Sequence, residues 1–170
     1  MTSTAAKPAR SAAQPPRQRA PIDEARAAQL RAANINPRTG LATDYLNHFN
    51  EAVMLLEMVP DMPECADDFL DWHPLSYGEH FHASHFKARD LAIEAYESAD
   101  TVVRTEFDNI TSAMTSILTA VSMAMREAKQ DKTRARLAEQ AIVWVKPLVM
   151  LAGGVINGGS EADVDYIMTH

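Results

Sequence analysis

Apolar positions along this chain recur at intervals of three and four, the spacing that gives a helix one buried stripe. Leu41, Tyr45, His48, Ala52, Leu55 and Val59 form the first such stripe. Leu46, Phe49, Val53 and Leu56 widen it, which predicts a helix over about 41–59 lying deep in a bundle. Pro60 stops it. Asp61 stands three residues before Glu64 in the form of a capping box, so a short helix is expected next, burying Cys65, Phe69 and Trp72 and ending before Pro74. Ser76 with Glu79 repeats the capping signal and opens a helix expected to run to about Ala99.

Asp100 then caps a long helix reaching about Lys129. Its seam is Val103, Phe107, Ile110, Met114, Ile117, Val121, Ala124 and Ala128, the most regular pattern in the chain. Such a seam specifies helix-on-helix packing, within the fold or between chains. A last long helix, about 132–156, carries Leu137, Ala141, Trp144, Leu148, Leu151 and Val155. From Ala141 onward nearly every face of it is apolar. Pro147 is expected to kink it, Gly153 and Gly154 allow close approach, and Ser160 with Asp163 caps a short terminal helix. No segment alternates with a period of two. The expected fold is all-α, a bundle of four to five main helices.

The N-terminal segment changes the picture. Residues 1–21 cluster Pro, Ala, Ser and Arg, a composition expected to be disordered. Residues 22–33 hold helix formers enough for one short helix, and Pro37 and Gly40 mark a turn. The domain reading is therefore a disordered basic arm over 1–40 and a helical bundle over 41–170. Residues 1–38 carry seven basic side chains against two acidic, a balance of +5. The remainder carries nine against 21, a balance of −12. An acidic body repels phosphates, so nucleic acid is not an expected partner except through the arm.

The apolar run 141–156 is sixteen residues long with one charge and one proline, short of the ~20 that span a bilayer, so no transmembrane segment is expected. Without a secretory signal, the expected location is cytoplasmic. The single cysteine, Cys65, excludes an internal disulfide and a Cys-rich zinc motif, and its acidic neighbours mark it as a buried hydrophobe. Nucleophile elbows, phosphate loops and dinucleotide fingerprints are all missing.

Five of the six histidines fall between positions 48 and 85. On one continuous helix, Glu79, His82 and His85 would share a face while His80 points elsewhere. Asp44, His48 and Glu51 share a face of the preceding long helix. Glu79-x-x-His82 is similar to half of a ferritin-like motif, and two such helices packed together would form an imidazole–carboxylate site suited to iron, zinc or manganese. A full di-metal site would need a second Glu-x-x-His that the later helices lack, so a structural role for the histidines is favoured. Trp72, His73 and Tyr77 are read as a satellite core.

The expected function is therefore a non-enzymatic helical interaction or regulatory protein. It would act as a homo-oligomer, most simply a dimer, through residues 100–156, with a further protein partner allowed. The alternative is a metal-binding bundle, redox or storage, using Asp44, His48, Glu51, Glu79, His82 and His85. A third reading lays the arm and the last helix on a membrane surface.

Overall fold

A computed structural model describes residues 23–159. Among these residues there are seven α-helices: α1 (Glu24–Ala32), α2 (Leu46–Met58), α3 (Cys65–Asp71), α4 (Tyr77–Ala83), α5 (Arg89–Glu97), α6 (Thr101–Glu127) and α7 (Asp131–Ile156), with a 3₁₀ turn at Thr43–Tyr45 before α2. The all-α bundle is as expected; the count of four to five helices is corrected to seven. The arm over 1–21 and the terminal helix after Ser160 lie outside the described residues.

Local chemistry accounts for the extra elements. The helix expected to run from Ser76 to Ala99 breaks after Ala83. The Ser84 hydroxyl donates to the Phe81 carbonyl at 3.0 Å and accepts from the Phe86 amide at 3.4 Å, offering the backbone an alternative to continued helix. Phe86 folds back onto Phe81, ring centroids 5.7 Å apart. The break divides the segment into α4 and α5. At its start, Ser76 and Glu79 form the reciprocal capping box read from the sequence, and Asp100 caps α6 through the amides of Val102 and Val103. The box expected at Asp61 is not made: α3 starts at Cys65 with no side-chain cap.

Helices α6 and α7 form an antiparallel hairpin. Arg134 Nε donates to the carbonyls of Met125 and Ala128 at the end of α6, stapling the turn. Helix α7 lies along α2, and α6 meets α3, where Arg126 donates to the Leu70 carbonyl at 2.7 Å. The core between these layers is filled by Phe49, Leu56, Phe69, Phe107, Met114, Leu118, Met125 and Val145, all fully buried. Helix α7 runs on through Pro147, which is exposed, so water can take the carbonyl its ring leaves unpaired.

The segment before α2 is bound to the same core. Leu30 and Ile35 are buried, and Arg26 pairs with Glu94 of α5. The buried Thr39 hydroxyl donates to the Ile156 carbonyl at 2.6 Å, joining this segment to the end of α7. Asn34 and Gly40 both adopt positive φ, at 58° and 73°, which lets the chain reverse twice between α1 and the 3₁₀ turn.

Candidate functional site

The six residues proposed as metal ligands are distributed by the fold among separate tasks. Asp44, on the 3₁₀ turn, pairs with His80 Nε2 at 3.0 Å. His48, on α2, is buried; its Nε2 accepts from the Leu75 amide at 2.9 Å, and its ring stacks on Trp72 at 4.6 Å. Glu51 is exposed. The Glu79 carboxylate accepts from the Ser76 amide at 2.9 Å in the capping box, and that bond holds its pKa below the ordinary value. His82 is exposed on α4, and His85 falls in the linker created by the break at Ser84, so it shares no helical face with His82.

Among the described residues no group of three or more His, Cys, Asp or Glu side chains could hold a metal ion. The metal-binding expectation, and iron, zinc or manganese as cofactor, are overturned. The physical reasons are the helix break at Ser84 and the commitment of Glu79 to its own helix start.

His80, which the helical spacing points away from Glu79 and His82, joins α4 to the 3₁₀ turn, as His48 joins α2 to the segment before α4. The signal lay in its spacing: His80 follows Tyr77 by three and precedes Phe81, both buried, so it sits at the edge of the α4 core stripe. Around it, Tyr45 contacts His80, Tyr77 and Phe49 edge-on, with centroids 5.1–5.5 Å apart. The indole of Trp72 donates to the His48 carbonyl at 3.1 Å, so this tryptophan is spent on structure. Burial, with His80 nearby, lowers the His48 pKa to about 4, which keeps it a neutral hydrogen-bond acceptor. Burial, reinforced by Glu64 and Asp68, likewise holds the Cys65 thiol above its ordinary pKa, so it stays un-ionised.

A second feature lies on the α6–α7 hairpin. On α7, Val143 (65% exposed), Trp144 (52%), Met150 (79%) and Leu151 (48%) face outward, while Ala138, Ala141, Val145 and Ala152 take the core side. Beside them α6 presents Ala113, Ser116, Ala120 and Ala124. Between the helices runs an apolar groove of about 380 Å³ lined by Ile117, Ala120, Ala124, Leu137 and Trp144. The seam read from the sequence is thus divided: Phe107, Met114 and Val121 are buried in the fold, Ile110 is partly buried against the core, and Ile117 and Ala124 line this groove.

Length and composition alone would let α7 cross a membrane, a test that the core helix of a soluble protein also passes; 28% of its most apolar stretch is buried here. Lys146, within that stretch, pairs with Glu57 of α2. No protein-family model, curated protein or solved structure matches the chain.

Proposed function

We propose that this protein is a non-enzymatic helical interaction protein that associates with a second copy of itself through the outer face of the α6–α7 hairpin. The observation that carries the reading is the run of exposed large apolar side chains, Val143, Trp144, Met150 and Leu151, on a helix whose other side is core. Two further arguments select a second copy. Helices of 26 and 27 residues are about 40 Å long and ~10 Å wide, so the pair offers on the order of 800 Å² per copy, the area a specific interface buries. The face is also self-complementary in size. Helix α6 supplies small residues (Ala113, Ser116, Ala120, Ala124) and α7 supplies large ones (Leu137, Trp144, Leu151), so a two-fold axis sets each large stripe against the partner's small one.

Native mass spectrometry and light scattering of the full chain at micromolar concentration test this. A dimer that Trp144→Glu converts to monomer supports it. A strict monomer overturns it, and binding of that monomer to anionic vesicles would assign the face to a lipid surface instead.

A further inference from the structure

A cleft of about 580 Å³, within the size range of small-ligand sites, opens where the segment before α4 meets the first half of α6. Its floor holds three phenols, Tyr45, Tyr77 and Tyr96, with the rings of Tyr77 and Tyr96 stacked at 4.4 Å. Burial pushes all three phenols above the ordinary tyrosine range, so they remain neutral. The charged side chain in the lining is Asp108, whose Oδ1 accepts from the Tyr96 hydroxyl at 2.7 Å.

The wall built by α6 is ordered by helical spacing. Asp108, Ser112 and Thr115 stand at intervals of four and three, so a carboxylate and two hydroxyls line up over about 10 Å. Among the described residues no Lys, Arg or His lines the cleft. Arg104, one turn before Asp108, lies over the Tyr96 ring at 5.8 Å and donates to the Glu97 carbonyl. An anionic ligand would therefore meet a carboxylate with no lining cation to offset it. A neutral polyol could use the hydroxyl wall and donate to Asp108, but it brings no positive charge to balance the carboxylate. An ammonium group joined to a hydroxylated chain satisfies both.

We infer that this cleft binds a small hydroxylated amine, with its ammonium group on Asp108 and its hydroxyls along Ser112 and Thr115. Ser116 lines both this cleft and the groove of the proposed dimer face, so the two sites adjoin on α6, but the amine contacts named here need no second copy.

A series of six-carbon chains that differ at one end tests it on the full chain: glucamine or its N-methyl derivative N-methylglucamine (cation), sorbitol (neutral) and gluconate (anion), titrated by NMR. Saturable shifts at the amides of Ser76, Ser112 and Thr115 are expected with N-methylglucamine. Sorbitol should bind about tenfold more weakly or worse, and gluconate weakest of all. Asp108→Asn retains an acceptor for Tyr96 and should erase the preference of the amine over sorbitol. Ser112→Leu, at an exposed helix position that tolerates substitution, should block the cleft even if Asp108→Asn does not fold. Equal binding of amine and polyol, no saturable binding of the amine, or full binding by Ser112→Leu would overturn the assignment.

Discussion

Helices α2 and α7 lie against each other, and their outward sides differ. Helix α2 turns Asn47, Asn50, Glu51 and Glu57 to solvent, with Met54 and Met58 among them, and keeps Phe49, Ala52, Val53 and Leu56 inside. Helix α7 is buried on the side of Ala138, Ala141, Val145 and Ala152, yet its second half turns Val143, Trp144, Met150 and Leu151 outward. The first pattern is that of a helix whose burial is completed by its own chain. The second leaves apolar surface that no other described residue covers, the feature on which the proposed self-association rests. Hydrophobicity alone therefore does not rank a helix by depth; what decides is which faces the neighbouring helices reach.

The contrast can be broken first at its buried end. Phe49→Ala should destabilise the fold by about 3–5 kcal/mol in urea denaturation, because Phe49 is fully enclosed, with Tyr45 and His48 packed on its ring. A loss below about 1 kcal/mol would mean α2 is not the enclosed helix described.

Acid tests the same helix by another route. The folded pKa of His48, about 4, lies below the ordinary 6.5, so between those values the unfolded chain binds more protons. Stability contributed by neutral His48 is whole above pH 6.5, falls as pH drops towards 4 and levels off below, amounting to about 3 kcal/mol. His48→Gln, which keeps an acceptor for the Leu75 amide, should flatten that part of the stability–pH curve. An unchanged slope would place the titration elsewhere.

On α7 the effects should appear in association more than in folding. Trp144→Glu is expected to weaken dimerisation by about 2 kcal/mol or more while moving monomer stability by under about 0.5 kcal/mol, read by sedimentation and by denaturation of dilute protein. Comparable losses in both would show that Trp144 belongs to the fold of the single chain. The smallest change sharpens the point about open space. A methyl group at Gly154 would meet nothing within 4 Å, so Gly154→Ala should raise helix stability by roughly 0.5–1 kcal/mol in the monomer. A decrease in the dimer alone would place Gly154 at the contact.

Much of the architecture can be read from residues that act locally. Periodic apolar spacing marks α2, α6 and α7, and the caps at Ser76 and Asp100 mark where α4 and α6 begin. The candidate site was far less legible. Glu79 and His82 carry the pattern of a metal pair, but one carboxylate cannot both close a capping box and ligate an ion, and spacing alone does not show which use wins. His85 left the helical face because the hydroxyl of Ser84 found the Phe81 carbonyl, a competition between local bonds that propensity resolves poorly.

The chain by itself determined that it would be helical, where its longest helices run and how its charge divides, since these follow from neighbours a few residues apart. Only the tertiary structure decided that Asp44 meets His80, that three phenols and Asp108 share a cleft, and that one side of α7 has no neighbour among the described residues. Those outcomes depend on helix packing across tens of residues of sequence, which the period of an apolar stripe does not encode.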